Sequence, residues 1–384
     1  MRDPFVLRLI AFYTAQFIVI GIQIPFFPVW LDARGFDARA IGLVLAASRI
    51  APVLVIPVAT RLADRFGAVR GALIATVAVA IVAYAAAALA DGLFLIAAAA
   101  VIGSIAFSMT FPLGDAYSLR ALAERGRSYG SVRMWGSAAF IAANVAGGVI
   151  LGLIAPASLI WLLLGTYGLT LVAAVGLARS TTDTTLHPTE AAVHGPLWTS
   201  PAFISVALAS ALIQSSHAVF YGFSTLDWAV QGLSGTTIGL LWAIGVTAEI
   251  GLFAWSARLP RVIGPAELVC IGAGGAVLRW LLLMVELPHI ALPFVQCLHG
   301  LSFAATHLGT MQLITRIAPR HMAATAQGDV SALGGVVMGL SMSLAGVLYQ
   351  AVGGAAYGAM AIVAALGGIA AIVHLRIARS ATKS

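Results

Sequence analysis

The chain has 384 residues, of which 61% are hydrophobic and only 9% are Asp, Glu, Lys or Arg, whereas about a quarter of the residues of a soluble domain are charged. So few charges cannot cover a water-exposed surface, which excludes a soluble globular protein. The net charge of +7 does not indicate nucleic-acid binding, because the basic residues stand singly between apolar runs. Both cysteines lie within apolar runs and set no disulfide framework.

Twelve apolar runs follow one another along the chain, and most have about the 20 residues that a membrane-spanning helix needs. The alternating segments of a membrane β-barrel are about half as long. The predicted spans are residues 5–30, 41–60, 71–90, 93–118, 130–153, 157–178, 200–229, 236–257, 266–286, 290–315, 328–350 and 356–376. We therefore predict an all-α membrane protein with six helices in 1–178, a cytoplasmic linker at 179–199 and six helices in 200–384.

The distribution of basic residues orients these spans. With both termini in the cytoplasm, three of the 21 Lys and Arg residues lie inside spans, and of the others only Arg34 and Arg39 fall in loops on the far side. Such a bias is the positive-inside pattern of membrane proteins. We expect a multi-pass protein of the bacterial cytoplasmic (inner) membrane with cytoplasmic N- and C-termini.

The two predicted halves also share a repeat. Gly35 to Leu43 reads GFDARAIGL and Gly232 to Leu240 reads GLSGTTIGL, at an offset of 197 residues. Glycines 130, 136 and 148 recur at 328, 334 and 346, at an offset of 198. Two repeated helical halves with a binding site between them are an architecture of secondary transporters.

Residues Arg61 to Gly67 read RLADRFG, which resembles the loop 2–3 signature of the major facilitator superfamily. The resemblance implies twelve helices in two six-helix halves, alternating access, and a conformational loop formed by Asp64, Arg65 and Gly67. Thr60 stands where the signature usually begins with glycine, so an ordinary charged loop is the alternative.

Longer strings, among them PLGDA at 112–116 and YGSVRMWGS at 129–137, resemble the phenylpropionic acid transporter family within that superfamily. The chain is more distantly similar to the oligosaccharide–proton symporter family that includes lactose permease. These resemblances imply proton-coupled symport of a small, aromatic organic acid such as 3-phenylpropionate. A sugar or nucleoside proton symporter is the alternative.

Ionisable residues inside a bilayer are costly and are therefore candidates for function. Asp115 and Arg133 lie on neighbouring antiparallel spans, where the arginine could hold a carboxylate through two hydrogen bonds. The resemblance implies that this pair binds substrate, and a structural salt bridge is the alternative. The repeat places Gln312 and Ser331 at the equivalent positions, so the pair belongs to the first half alone.

Arg49, in the second span, has no acidic partner in its own helix. A lone arginine there suits an anionic substrate, and pairing with Asp227 or a backbone carbonyl is the alternative. Tyr13, Gln16, His217 and Tyr221 are candidates to line the substrate cavity, although polar residues also join helices by hydrogen bonds.

Glu249, Arg279 and His299 fall near the middle of spans eight, nine and ten. Burial disfavours the charged form of a carboxyl group and a nearby guanidinium favours it, so such a carboxyl can gain and lose a proton. The resemblance implies a proton-coupling role for all three, although Ser302 stands where the family has a further acid. A structural charge cluster is the alternative.

The sequence contains no Walker loop, no Cys/His metal-ligand spacing and no nucleophile elbow. We therefore expect neither enzymatic activity, nor a cofactor, nor a metal. The expected partners are a small organic acid, protons and the lipid bilayer, without nucleic acid, and the expected functional unit is a monomer.

Overall fold

The computed structural model describes residues 3–65, 68–123, 125–178, 197–258, 263–319 and 322–381, which are helical throughout apart from short connections and contain no strand. Of the predicted conformational loop, Gly67 lies outside the described residues, and so do the side chains of Asp64 and Arg65.

Within these described ranges the helices number twelve when pieces joined end to end are counted as one. They are α1 (Pro4–Ala33), α2 (Ala38–Arg65), α3 (Val69–Leu89), α4 (Leu93–Ser108 and Thr110–Ala123), α5 (Tyr129–Leu151), α6 (Leu159–Val175), α7 (Pro201–Ser215 and Ala218–Val230), α8 (Gly235–Trp255), α9 (Pro265–Leu283), α10 (Leu292–Cys297, Gly300–Ala305 and Thr306–Ile317), α11 (Ala323–Val352) and α12 (Tyr357–Ala381).

Ten helical stretches of the described chain are long and apolar enough to cross a membrane. One of them, Ala323–Ser380, contains both α11 and α12, and the segmented α10 completes the set of twelve. The predicted class, an all-α membrane protein with twelve helices, is therefore confirmed. The all-α class follows from the lipid surroundings, because in lipid the backbone N–H and C=O groups must form their hydrogen bonds within the protein.

Helices begin where the sequence supplies a cap. Asp3 Oδ1 accepts the Phe5 N–H at 2.9 Å ahead of α1, and Ser200 Oγ accepts the Phe203 N–H at 3.4 Å ahead of α7. In both helices a proline occupies the first position, where its missing N–H costs nothing.

The repeat reappears in the way α1 and α7 end. Gly35 has a φ of 86° and Gly232 a φ of 85°, a left-handed conformation that glycine adopts without strain. The next residue of each loop donates its N–H to a carbonyl five residues back, Phe36 to Leu31 and Leu233 to Trp228. Both helices thus end in the same Schellman motif.

Two helices that the sequence predicts as continuous are interrupted, α4 at Met109 and α7 at Ser216 and His217. Thr110 Oγ1, Ser216 Oγ and His217 Nδ1 donate to carbonyl oxygens three residues earlier, over 2.7, 2.6 and 3.1 Å. Such side chains compete with the helical ladder and bend it. The length of an apolar run predicts a membrane span, but it does not predict these local side-chain hydrogen bonds.

Helix α10 contains a π-helical turn, Gly300–Ala305, between its α-helical pieces. A π turn closes its hydrogen bonds over five residues rather than four, and such turns occur frequently at functional sites. The turn carries Ser302 and follows directly after His299.

The chain divides into two compact units. Unit 1 comprises Met1–Thr189 and Trp228–Ala243, and unit 2 comprises Glu190–Asp227 and Ile244–Ser384. In unit 1, α1 packs along α5, and in unit 2, α12 packs against α7 and α9.

Glycines set the close helix contacts of unit 1. A Cβ on Gly136 would lie 2.9 Å from the Phe17 ring, and one on Gly147 would lie 2.5 Å from the Phe26 ring, so α1 and α5 run in the same direction with rings against glycines. A Cβ on Gly148 would overlap the carbonyl oxygen of Gly235, so α5 and the start of α8 touch through their backbones.

Candidate functional site

Two clusters of polar side chains contain most of the predicted site residues, one in each unit. The Asp115 cluster lies in unit 1 and comprises Tyr13, Phe17, Asp115, Tyr129 and Arg133. The Arg279 cluster lies in unit 2 and comprises His217, Glu249, Arg279, Gln296, His299 and Ser302.

The carboxyl group of Asp115 is held by two phenols. Tyr13 Oη donates to Asp115 Oδ1 at 2.8 Å, and Tyr129 Oη donates to the same oxygen at 2.6 Å. Tyr13 is fully buried, and its hydroxyl also lies 3.1 Å from Ser118 Oγ. Hydrogen bonds to a charged acceptor are short and strong, so the two tyrosines fix the position of the Asp115 carboxyl group within unit 1.

Arg133 lies beside this carboxyl group without pairing with it. Its guanidinium carbon is 3.9 Å from the centre of the Phe17 ring and 5.8 Å from that of Tyr13, both cation–π distances. Among the described residues, none forms a hydrogen bond or an ion pair with the Arg133 side chain. The salt bridge with Asp115 that we weighed as an alternative is thus not formed here.

Two further predicted substrate residues, Gln16 and Arg49, differ in the solvent exposure of their side chains. Gln16 is fully buried, donates from Nε2 to Thr110 Oγ1 at 2.8 Å at the break of α4, and leaves its Oε1 without a hydrogen bond. Arg49 lies on an exposed position of α2. Asp227 accepts a hydrogen bond from Tyr349 Oη at 3.4 Å, and its pairing with Arg49 stays a prediction.

In unit 2, Arg279 is fully buried and bonded to neutral acceptors. Its Nη1 lies 2.9 Å from His299 Nδ1 and 3.5 Å from Ser302 Oγ, and its Nη2 donates to Gln296 Oε1 at 2.6 Å. The guanidinium carbon is 4.4 Å from the Phe220 ring centre and 4.8 Å from that of Trp280. A buried charge needs such hydrogen bonds because its desolvation is costly.

The chemistry of arginine assigns the proton of His299. A guanidinium can only donate, so His299 Nδ1 accepts and the single ring proton of the neutral imidazole is on Nε2. That nitrogen faces Glu249 Oε2 at 3.7 Å. The three predicted proton-coupling residues therefore form one chain, Arg279–His299–Glu249, drawn from α9, α10 and α8.

His217 belongs to the same cluster rather than to a solvent-facing wall. It is fully buried, and its Nδ1 donates to the Gln214 carbonyl at 3.1 Å. Its Nε2 therefore accepts, from Ser302 Oγ at 3.1 Å, and Ser302 reaches Arg279 in turn. Tyr221, half-buried, stacks on the His217 ring with the ring centres 5.5 Å apart.

Sequence reasoning missed four participants. Gln296 and Ser302 accept from Arg279 as His299 does, Tyr129 donates to Asp115, and the ring of Phe17 lies against the guanidinium of Arg133. An amide inside an apolar span is a usable signal and could have identified Gln296. A phenylalanine in such a span gives no signal.

Comparisons with known proteins extend over nearly the whole chain. The model of the family described as "MFS_1 like family" matches residues 6–364. The chain is 31% identical over 367 residues to a "Probable 3-phenylpropionic acid transporter" of Escherichia coli (strain K12), covering 92% of this chain and 93% of that protein. It is 26% identical over 333 residues to the "Maltose permease" of Geobacillus stearothermophilus, covering 84% and 82% of the two chains.

Solved structures give the same architecture. The crystal structure of the nucleoside transporter NupG superimposes with a TM-score of 0.83 at 15% identity, covering 98% of this chain and 99% of that one. An inward-facing, unoccupied bacterial homolog of the human lysosomal transporter Spinster superimposes with a TM-score of 0.73 at 14% identity, covering 98% of each chain. At such identities the likeness shows the fold alone.

Proposed function

The chain belongs to the MFS_1 like family of major facilitator superfamily transporters, and from this we propose that it is a proton-coupled symporter of a small organic, aromatic acid. The predicted superfamily fold, twelve helices in two six-helix halves, is confirmed. In our proposal the halves 1–178 and 200–384 move as bodies in alternating access, connected by the linker 179–199, and the loop of Asp64, Arg65 and Gly67 steadies that movement.

A carboxylate substrate is supported by the name of the 31%-identical relative and by the charges of unit 1. Arg133 presents a guanidinium that no described residue neutralises, and an organic anion would supply the missing charge. We propose Asp115, Arg133 and Arg49 as the charged substrate residues, with Tyr13, Gln16, His217 and Tyr221 completing the binding region by direct contact or by support.

Proton coupling rests on one observation, the chain Arg279–His299–Glu249. His299 cannot accept a second proton without losing its bond to Arg279, because Nδ1 is the acceptor. Glu249 is therefore the group of the chain that can change its charge while the other contacts stay intact. We propose that Glu249 carries the proton, while Arg279 and His299 set its environment.

The positive-inside bias supports placement in a bacterial inner membrane with both termini in the cytoplasm. We propose that a monomer is the functional unit, because each half supplies its own polar cluster within a single chain.

The test is uptake of labelled 3-phenylpropionate by purified protein in proteoliposomes, with and without an inward-directed proton gradient. Protein-free liposomes are the control, because a carboxylic acid can cross lipid in its neutral form. Gradient-dependent accumulation above that control is the expected result. Protein-mediated uptake that ignores the gradient would contradict the coupling, and absence of uptake would contradict the substrate.

A sugar or nucleoside symporter remains the second candidate, and the 26% identity to a maltose permease favours the sugar. The acid Asp115 and its tyrosines could accept and donate hydrogen bonds to hydroxyl groups equally well. Competition distinguishes the two: excess 3-phenylpropionate, maltose or a nucleoside is added to the labelled uptake. The compound that competes identifies the substrate class.

A further inference from the structure

Arg133 is oriented by an aromatic platform that the proposed function does not use. Its guanidinium carbon sits 3.9 Å above the Phe17 ring, and Phe17 is itself buried and held edge-on by Phe111 with ring centres 6.0 Å apart. Stacking occupies the face of the guanidinium and leaves the N–H groups in its plane available. No described residue accepts from those groups.

The platform depends on a glycine of the same helix face as the arginine. Gly136 lies three residues after Arg133 on α5, so the two residues are neighbours on the helix surface. A Cβ on Gly136 would lie 2.9 Å from the Phe17 ring, which is closer than a carbon can approach without displacing the ring. The repeat counterpart Gly334 has no atom within 4 Å of such a Cβ, so the repeat alone does not require glycine at position 136.

Tyr13 is the residue that Asp115 and Arg133 share. The Tyr13 hydroxyl is 2.8 Å from Asp115 Oδ1, and the ring of the same tyrosine is 5.8 Å from the Arg133 guanidinium carbon. Among the described residues, two phenols donate to Asp115 and Arg133 does not, so the planar donors of Arg133 stay open. Arg133 attracts a ligand that carries one carboxylate. A second carboxylate on the same ligand would approach the carboxylate of Asp115, which repels it.

We propose that Arg133 binds the carboxylate of a monocarboxylic acid in the plane of its guanidinium, and that Phe17 and Gly136 are the positioning residues that hold this plane. Asp115 then discriminates against dicarboxylates. This inference rests on the proposed transport of an organic acid and specifies the class of acid and the residues that select it.

The test is calorimetric binding to the purified full-length protein, with 3-phenylpropionate and its neutral amide, 3-phenylpropionamide, as the two ligands. Phe17→Leu removes the platform, and Phe26→Leu is the matched control, since Phe26 lies on α1 against a glycine of α5 but is not covered by a guanidinium. We expect Phe17→Leu to weaken acid binding by about tenfold, the size of one charge-assisted hydrogen bond, with little change for the amide. Phe17→Tyr should restore acid binding.

Gly136→Ala should reproduce the loss seen in Phe17→Leu, while Gly334→Ala should not. Equal losses for acid and amide, or equal losses in the Phe17 and Phe26 variants, would overturn the positioning role. If the wild type binds 3-phenylpropionate and Phe17→Leu binds it unchanged, the inference fails and the proposed function stands. If the wild type binds neither ligand but binds maltose or a nucleoside, the proposed substrate fails and this inference with it.

Benzylmalonate tests the selectivity, because it is 3-phenylpropionate with a second carboxylate beside the first. We expect the wild type to bind it at least about tenfold more weakly than the monocarboxylate, and Asp115→Asn to narrow that gap. Equal affinity of the wild type for the two acids would overturn the assignment of a monocarboxylate site.

Discussion

Replacing Glu249 with glutamine is expected to disconnect transport from the proton gradient without breaking the Arg279 cluster. Glu249 Oε2 faces the N–H of His299 at 3.7 Å, and a glutamine places an amide oxygen, still an acceptor, at the same position. The bonds from Arg279 to His299 and Gln296 need no change. The substitution therefore removes the ionisation and keeps the shape.

The expected magnitude follows from the coupling. One pH unit corresponds to about 1.4 kcal/mol per proton, so a symporter that carries one proton with each monovalent acid anion concentrates it about tenfold across one unit. Because the proton and the monovalent anion together carry no net charge, the membrane potential does not contribute to this accumulation. In Glu249→Gln the accumulation should fall to an equal concentration on both sides, while exchange of labelled for unlabelled substrate continues.

The assay is proteoliposome uptake at a gradient of one pH unit, corrected by protein-free vesicles, with counterflow exchange measured on the same preparation. Glu286→Gln is the matched control, since Glu286 is exposed and follows the end of α9. About tenfold accumulation in Glu249→Gln, at normal exchange, would refute the assignment of the proton to this residue.

Arg279→Lys should lower the thermal stability of the detergent-solubilised protein, because an ammonium cannot reach both buried acceptors and each orphaned acceptor costs about 1–3 kcal/mol; an unchanged melting temperature would contradict this. Gly148→Ala should destabilise unit 1 by about 1–3 kcal/mol through overlap with a backbone carbonyl, whereas Gly165→Ala, with open space around it, should be neutral in the same melting experiment. Tyr129→Phe removes a 2.6 Å hydrogen bond to the carboxyl group of Asp115, worth about 1.5–3 kcal/mol, and should change substrate affinity in calorimetry while leaving the proton dependence of uptake as in the wild type.

The fold was predictable because a single physical requirement, that of spanning a lipid bilayer, dominates it. Lipid demands helices long enough to span it, and apolar length alone therefore placed the spans within a few residues of the helices. The interruptions at Met109 and His217 were not predictable in this way. They arise from single side chains bonding to nearby carbonyls, which leave the average hydropathy unaltered.

The candidate site was partly predictable for a related reason. A charge inside a bilayer stands out in any sequence, and Glu249, Arg279 and His299 do meet in one cluster although they come from three helices. Their neutral partners were hidden, because an amide or hydroxyl in a span can equally serve a helix contact. His217, whose role in lining the cavity stays a prediction, is fully buried and connects to Arg279 through Ser302, a contact that only the three-dimensional packing brings about.

The π-helical turn of α10 bears on how the two halves descended from one duplicated unit. The repeat register is 197 residues up to Leu240 and 198 from Gly328 onward, so the later copy is one residue longer between these positions. A π turn accommodates one residue more than an α turn, and Gly300–Ala305 lies inside that interval. An insertion taken up by this π turn leaves the helix beyond it in rotational register, instead of turning it by the roughly 100° that one residue of an α-helix spans. Beyond the turn the offset of 198 residues applies, so the repeat counterpart of Asp115 is the buried Leu313 rather than Gln312. An added codon at this turn would therefore leave Thr306–Ile317 facing the same neighbours as its ancestral counterpart, and alignments of relatives should place their gap at this turn.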